Sequence, residues 1–360
     1  MIEKLSRDDV ADILYGATIY GAGGGGGLAE GFDLLDRAVE AGKVFRLAEL
    51  SDVPDDALIA TPYLLGALSK TPQSEQTRYI GLPRAQDHPV LLAHRRMEAH
   101  LGADIFGSVP CELGGSNTAV PFFVAAMTGG VTVDADPAGR AVPEITHSAY
   151  YLAGLPASPI AAANTFGEVM ILDNIADDQR AETVVRALCQ VSANDIAAID
   201  HALPARDLRG ILMPGTLRRA QALGKLWREG RSEPRKVIDQ LARAGGGKIA
   251  FEGRVAASTA QTQGGFTVGE FTVDGIGADN GNRYRVSIKN ENMAGWKDDV
   301  LDACIPDIIS VFDVETSEVV TNPHVKVGCH VSLVILPAPE VFASARGRAV
   351  FGPAYLGLRG

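Results

Sequence analysis

The chain has 360 residues, of which 46% are hydrophobic and 21% charged, as in a soluble globular protein large enough for two domains. Its formal net charge of −11 argues against nucleic acid as the main partner, because phosphate binding needs a basic surface. The apolar runs are shorter than the roughly 20 residues of a spanning helix, and the N-terminus lacks a signal-peptide pattern. We therefore expect a cytoplasmic protein with neither a membrane nor a nucleic-acid partner.

Helical and strand-like segments alternate in the first two thirds of the chain. Ser6 and Asp9 predict a capping box, and a second helix follows the glycine run and ends near Gly42. The further predicted strands are 44–47, 57–61, 104–109 and 131–133, and the further predicted helices are 88–101, 117–127, 181–191 and 216–229. This alternation indicates an α/β domain with a largely parallel sheet over residues 1–245.

From Lys248 the hydrophobic pattern changes to a period of two, which is typical of half-buried strands. Six or so short strands separated by glycine turns predict a small β-barrel or sandwich over residues 246–344. We expect residues 345–360 to pack back onto the first domain.

Charged side chains follow the apolar strand that ends at Val133. They are Asp134, Asp136, Arg140, Glu144 and His147. Ligands of open parallel sheets bind beyond the carboxyl ends of the strands, so this segment is a candidate site. The acids could perform general acid–base catalysis, and Asp134, Asp136 and His147 could bind a divalent metal such as zinc. Alternatively, the two aspartates cap a turn and Arg140 pairs with Glu144.

A second polar group, Cys111, Glu112 and Asn117, follows the strand predicted at 104–109. Cys111 could be a nucleophile or a metal ligand, although a lone cysteine is more often a small buried residue. Glu112 would face the same crevice as the first group, and Asn117 would cap the next helix and could contact a substrate. The four cysteines lie far apart without a CxxC pair, so they indicate neither a disulfide framework nor a zinc knuckle.

The glycine run contains the pattern GxGxxG, but a predicted helix precedes it where a dinucleotide site needs a strand. We therefore expect no nucleotide cofactor. Gly23, Gly24, Gly25 and Gly26 could instead present backbone amides to an anion or a substrate, or could form a tight turn. Farther along, Asn290-Glu291-Asn292 follows a predicted strand. Asn290 could contact a substrate across the domain interface, or the three residues could form an ordinary turn.

Several short motifs together resemble one bacterial family. They are GAGGGGG at Gly21, ELGGSNT at Glu112, DADPAGRAVPE at Asp134, GTL at Gly215, KNEN at Lys289, PDII at Pro306 and FGP at Phe351. In this order and over essentially the whole chain, they resemble the S-methyl thiohydantoin desulfurase family, whose N-terminal domain also occurs in hydantoinase-related proteins.

The resemblance implies a three-layer α/β domain joined to a barrel-like domain. It implies hydrolytic loss of sulfur from a thiohydantoin or S-methyl thiohydantoin ring, in the breakdown of ergothioneine-type thiolated histidine derivatives. The catalytic candidates are then Asp134, Asp136, Glu144, Glu112 and Cys111, and Arg140 could pair with a propionate on the small-molecule substrate. A homo-oligomer is the default assembly. The alternative is a non-catalytic or partner-dependent subunit of a hydantoinase-type system that binds a cyclic ureide.

Overall fold

The computed structural model of the protein describes residues 1–66 and 77–358. The helices are α1 (Arg7–Tyr20), α2 (Leu28–Glu40), α3 (Pro89–Leu101), α4 (Ala119–Thr128), α5 (Ala149–Ala153), α6 (Asp178–Val191), α7 (Ala205–Leu208), α8 (Thr216–Gly230), α9 (Pro234–Ala244), α10 (Glu340–Ala343) and α11 (Ala345–Val350). Short 3-10 helices are Leu50–Asp52, Thr77–Tyr79, Gly277–Asp279 and Pro353–Leu356.

The strands form one large sheet, one two-stranded ribbon and one curled sheet. They are β1 (Glu3–Leu5), β2 (Phe45–Ala48), β3 (Leu58–Leu65), β4 (Ile105–Ser108), β5 (Val131–Val133), β6 (Ala135–Asp136), β7 (Ile160–Asn164), β8 (Val169–Leu172), β9 (Ile196–Pro204), β10 (Met213–Pro214), β11 (Lys248–Gln263), β12 (Phe266–Gly275), β13 (Arg283–Lys289), β14 (Glu291–Lys297), β15 (Val300–Cys304), β16 (Ile308–Asp313) and β17 (His330–Leu336).

The α/β class is confirmed, but the eight-stranded sheet is mixed. Its order is β1-β2-β5-β4-β3-β9-β7-β8, and only the pairings among β2, β5, β4 and β3 are parallel. The expectation of a largely parallel sheet fails at β9, β7 and β8, which pair antiparallel. The sequence patterns predict no strands here, and β7 and β9 each contain a run of alanines, which have low strand propensity.

Helices cover both faces of the large sheet, so the domain has three layers. Alternate residues of β7 show this arrangement, since successive strand side chains point to opposite faces. Ala161 and Ala163 pack in the cluster that contains Met97 of α3, whereas Ile160 and Ala162 pack in the cluster that contains Val185 of α6.

The second sheet contains seven antiparallel strands in the order β15-β14-β13-β12-β11-β17-β16 and curls into a half-barrel. Leu241 of α9 and Trp227 of α8 pack against its Phe312. The chain then returns, and Phe351 packs with both Ala138 of the α/β part and Met293 of β14. Residues 359–360 of the predicted returning segment lie outside the described residues.

Over residues 1–66 and 77–358, none of the helices is both long enough and apolar enough to cross a membrane.

Candidate active site

A cavity of about 220 Å³ lies where the two sheets meet. Its walls come from β3, β9, α6, the loops that follow β4 and β6, and the start of β14. Elements far apart in the chain thus surround one small space, as in many enzyme active sites. Of the predicted site residues, the following line it: Gly25, Gly26, Cys111, Glu112, Asn117, Glu144, His147 and Asn290.

Two buried glutamates, one from each part of the molecule, form the acidic end of the cavity. Glu112 follows β4, and its two carboxyl oxygens accept hydrogen bonds from Asn117 Nδ2 and from the Val142 amide, each at 2.7 Å. Burial raises the pKa of Glu112 to about 7, against the opposing effect of these two donors. At neutral pH this carboxyl group is therefore poised between its acid and base forms.

Glu291, at the start of β14, is the second of these acids. Burial raises its pKa well above the usual value, and the nearby charge of Glu112 raises it further. Its Oε2 atom is buried without a hydrogen-bond partner. A protonated carboxyl with an unused oxygen can donate a proton to a ligand, so the pair combines a base and an acid in one cavity.

A chain of polar side chains lies on the wall formed by the large sheet. Tyr63 Oη donates to Asp200 Oδ2 at 3.0 Å, and the other Asp200 oxygen lies 2.7 Å from Nδ1 of His201. The His201 ring stacks on Tyr150, with 3.9 Å between the ring centroids, and the Tyr150 hydroxyl is 2.8 Å from that of Thr61. All five residues line the cavity.

The backbone at His201 explains how two adjacent residues face the same cavity. Side chains normally alternate along a strand, but the pairing of β9 with β3 is irregular here. His201 adopts a φ of 42°, which is unusual for a residue with a side chain. Sequence reasoning missed this network. The available signal was the Asp200-His201 pair inside the apolar run that begins at Ile196.

An ion pair between the two domains lies beside the cavity. Lys289 of β13 donates to Glu144 at 2.5 Å and to the hydroxyl of Tyr355, which also contacts Glu144. Burial alone would raise the pKa of Glu144, but the Lys289 and Tyr355 donors outweigh it and lower that pKa. Glu144 is therefore ionised and paired, and it pairs with Lys289 rather than with Arg140.

A second ion pair beside the cavity lies within α6, where 2.5 Å separates Glu182 Oε1 from Arg186 Nη2. Arg186 also donates to the Pro143 carbonyl at 3.1 Å and to the Gly265 carbonyl at 3.2 Å. It therefore ties α6 to the loop after β6 and to the turn between β11 and β12. These hydrogen bonds hold the parts of the cavity wall from the two domains in fixed positions relative to each other.

The glycine run crosses from α1 to α2 against the loop after β4. The Gly25 carbonyl accepts the amides of Ser116 and Asn117, and a Cβ built on Gly25 would lie 2.5 Å from the Gly114 Cα. Gly23 and Gly24 instead face side chains of the second sheet, and a Cβ on Gly24 would lie 2.1 Å from Glu291 Oε1. Only Gly25 and Gly26 of the four predicted glycines border the cavity among the described residues.

The two aspartates that follow β5 serve the backbone and are not among the described residues that line the cavity. Asp134 Oδ1 accepts the amides of Leu217 at 2.9 Å and Arg218 at 3.3 Å in the first turn of α8. Asp136 Oδ1 accepts the Ala138 amide at 2.7 Å and the Gly139 amide at 2.5 Å, which closes a turn. Their geometry matches the capping alternative considered for them.

Arg140 is fully buried and does not border the cavity, contrary to the expectation that it holds a substrate carboxylate. Its guanidinium donates to the carbonyls of Ala141, Pro306 and Asp307 and lies over the Phe351 ring. Arg140 therefore fastens the loop after β6 to the second sheet.

The three predicted metal ligands are not brought together. Asp134 and Asp136 bind backbone amides, while His147 packs against Phe351 and Tyr355. Burial lowers the pKa of His147 to about 3, so its ring is neutral. Over residues 1–66 and 77–358, no group of three or more His, Cys, Asp or Glu side chains could hold a metal ion.

Three further predicted residues, Cys111, Asn117 and Asn290, line the cavity, but their surroundings limit what each can do. Burial raises the pKa of Cys111 well above its usual value, and the charge of Glu112 adds to this effect, so Cys111 is a thiol rather than a thiolate. Asn117 does not cap a helix, since its side chain joins Glu112 to the Leu64 amide. Asn290 accepts the Thr267 amide in a turn with a φ of 57°.

The whole chain matches one family in two consecutive segments. Residues 8–174 match the S-Me-THD-like N-terminal domain, and residues 176–359 match the S-Me-THD-like C-terminal domain. The chain belongs to the S-Me-THD-like family. The suspected family is thus confirmed, and its name points to an enzyme with a role related to thiohydantoins. The junction of the two matches at residue 175 falls within the large sheet, whose last strand ends at Pro204.

A similar fold exists among solved structures. A crystal structure of a protein from Chromobacterium violaceum has a TM-score of 0.76 and 23% sequence identity, and the match covers 99% of this chain and 96% of the other. At this identity the likeness shows the fold alone. No curated protein matches the chain.

Proposed function

We propose that this chain hydrolytically removes sulfur from a thiohydantoin or S-methyl thiohydantoin ring, giving a hydantoin and sulfide or methanethiol. The family's name supports a thiohydantoin-related role. The observation that carries the proposal is the pair Glu112 and Glu291, two buried carboxyl groups with raised pKa values that border one cavity. The biological setting we propose is the catabolism of ergothioneine-type thiolated histidine derivatives.

The reaction adds water to the ring carbon that lies between two nitrogens and carries the sulfur. Glu112 in its ionised form takes a proton from the water as the oxygen attacks this carbon. In the S-methyl substrate, Glu291 in its acid form gives a proton to the nitrogen of the ring C=N bond, and a proton that later passes from Glu112 to Glu291 restores both carboxyl groups. In the thiohydantoin both ring nitrogens already carry hydrogen, so Glu291 gives its proton to the sulfur instead. The carbon–sulfur bond then breaks, and the carbonyl of the hydantoin forms.

The size and polarity of the cavity suit such a ring. A volume of about 220 Å³ accommodates a five-membered ring with a small substituent. Tyr63, Tyr150 and Leu65 give the wall flat or apolar surfaces, while Asn117 and Glu112 lie at its polar end. Small-molecule sites combine apolar walls with polar groups that orient the ligand, and both kinds of residue line this cavity.

The test is thiol or sulfide release by the pure, metal-analysed protein. A 5-substituted thiohydantoin and its S-methyl form are each supplied with and without a chelator, and the sulfur chromophore is followed by ultraviolet absorbance. Turnover by the chain alone supports the proposal, whereas ligand binding without turnover supports the partner-dependent subunit. The divalent metal, homo-oligomeric state and cytoplasmic location stay predictions, and the chelator arm tests the first of these.

A further inference from the structure

Hydrolysis at a ring carbon that carries sulfur requires two protons to be placed on the products. Water supplies both: one goes to the ring nitrogen and the other to the departing sulfur. Glu112 and Glu291 account for the first of these transfers under the proposed function, on which this inference rests. An alkylthiolate is a poor leaving group in a buried cavity, so a donor near the sulfur would lower the barrier.

His201 is the strongest candidate for that second donor because acceptors face both of its ring nitrogens. Its Nδ1 lies 2.7 Å from an oxygen of Asp200, and its Nε2 lies 3.4 Å from the carbonyl oxygen of Leu155. A carbonyl can only accept, and an ionised carboxylate can only accept. A proton on Nδ1 is therefore directed at Asp200, and a proton on Nε2 is directed at the Leu155 carbonyl.

The two hydrogen bonds of His201 differ in strength. The Nδ1 bond has the length of a charge-assisted hydrogen bond, whereas 3.4 Å is long for an N–H···O contact. The Nε2 proton is therefore the one that a ligand can engage. His201 and Asp200 are nearly fully buried, at 4% and 3% exposed, yet both border the cavity.

The surrounding side chains hold the imidazole in one orientation. Tyr63 donates to the second oxygen of Asp200, and Tyr150 stacks on the imidazole with an interplanar angle of 13°. The ring also projects from a backbone in the left-handed region, which costs energy for a histidine and is often found at functional sites. Such a fixed donor needs little reorganisation during the reaction.

We infer that His201, oriented by Asp200, Tyr63 and Tyr150, is the acid that protonates the departing sulfur. In this step the carbon–sulfur bond breaks, its electron pair goes to sulfur, and the Nε2 proton moves to that sulfur. The hydroxyl of the water adduct loses its proton as the carbonyl forms, and that proton returns to Nε2 of His201. Water thus ends as the carbonyl oxygen, the proton on nitrogen and the proton on sulfur.

The test uses two substrates of nearly equal size whose thiols differ in acidity. They are the S-ethyl and S-(2,2,2-trifluoroethyl) thiohydantoins, and the fluorinated thiolate leaves more readily without an acid. His201→Asn should reduce kcat for the S-ethyl substrate by about 10²-fold or more, but kcat for the fluorinated substrate by less than about tenfold. Asparagine is chosen because it tolerates the left-handed backbone.

Two further variants separate this role from a structural one. His330→Asn is the matched control, since His330 is also a buried histidine paired with carboxylates, Glu252 and Glu315, and belongs to the second sheet. It should leave both rates unchanged. Asp200→Asn should repeat the leaving-group dependence of His201→Asn, and it carries the test if that variant does not fold.

Equal losses on the two substrates in both His201→Asn and Asp200→Asn would overturn this assignment while leaving the proposed function in place. Glu112→Gln should lose activity equally on both, because it acts before the sulfur leaves. If the wild-type chain releases no thiol from these two compounds or from the S-methyl thiohydantoin, the proposed function fails, and the assignment of His201 fails with it.

Discussion

Two pairs of carboxyl groups in this molecule are similarly buried but have different tasks. Asp134 and Asp136 direct oxygens at backbone amides of a helix and a turn. Glu112 and Glu291 border the cavity. An unpartnered oxygen does not separate the two pairs, since Asp136 Oδ2 and Glu291 Oε2 are both buried without a hydrogen-bond partner. Burial raises the pKa of all four, so burial alone does not identify the reactive acids. The decisive difference is whether the carboxyl group reaches a space that can hold a ligand.

The largest expected effect comes from replacing either cavity glutamate. Glu112→Gln and Glu291→Gln should each reduce kcat/KM for thiol release by about 10²- to 10⁴-fold, because an amide neither accepts nor supplies the required proton. Circular dichroism and melting curves would verify the fold. Rates within a few-fold of wild type in both variants would show that Glu112 and Glu291 are no more important for turnover than Asp134 and Asp136.

The second effect tests the position of Glu291 without changing its chemistry. Gly24→Ala would place a methyl group 2.1 Å from Glu291 Oε1, so the carboxyl must move. We expect kcat to fall on the order of 10²-fold, the cost of a displacement of about 1 Å in a catalytic group.

Gly27→Ala is the matched control for this displacement. Its methyl group would meet Oε2 of Glu30, an exposed and flexible side chain, so activity should stay at the wild-type value. Equal activities of the two alanine variants would show that the location of Glu291 does not matter for turnover.

The third prediction concerns pH. Since Glu112 acts as the base and its pKa is about 7, kcat/KM should rise about tenfold per pH unit below that value and level off above it. A pH profile of thiol release measures this. A profile that is flat between pH 5 and 8 would argue against Glu112 as the base.

The same group makes a prediction about stability. The folded pKa of Glu112 lies above its unfolded value, so the folded state binds more protons between about pH 4.5 and 7. Its contribution to the free energy of unfolding should therefore be largest at low pH and decline as pH rises through 7. Urea unfolding at several pH values should show a shallower decline in Glu112→Gln than in wild type.

The smallest expected effect on activity belongs to the aspartates. Asp134→Ala removes the acceptor for two amides of α8 and should lower the free energy of unfolding by about 0.5–2 kcal/mol. Activity at a temperature where the variant is folded should remain within a few-fold of wild type. Asp33→Ala, at an exposed position of α2, is the control for the same substitution. Abolished turnover in folded Asp134→Ala would return this residue to the active site.

Sequence patterns predicted the two-part α/β and β organisation because hydrophobic periodicity and capping residues are local signals. The strand-end rule also led to Glu112 and Glu144. This rule could not separate them from Asp134. Whether a carboxylate accepts hydrogen bonds from the amides of α8 depends on where that helix packs, and the local sequence does not show this. Glu291 and His201 were not selected as site residues, since the domain junction and an irregular strand pairing bring them to the cavity, and neither feature has a periodic signature.

Hydrolytic desulfurisation with Glu112 as the base is tested most directly by turnover of S-methyl thiohydantoin in H₂¹⁸O by the wild-type chain and by Glu112→Gln. Mass spectrometry would follow the label in the product, and a thiol assay would follow methanethiol. We expect one labelled oxygen in the hydantoin and one thiol per turnover by the wild type, with a loss of at least about 10²-fold in the variant. Absence of thiol release by the wild type, or undiminished release by the variant, would contradict this expectation.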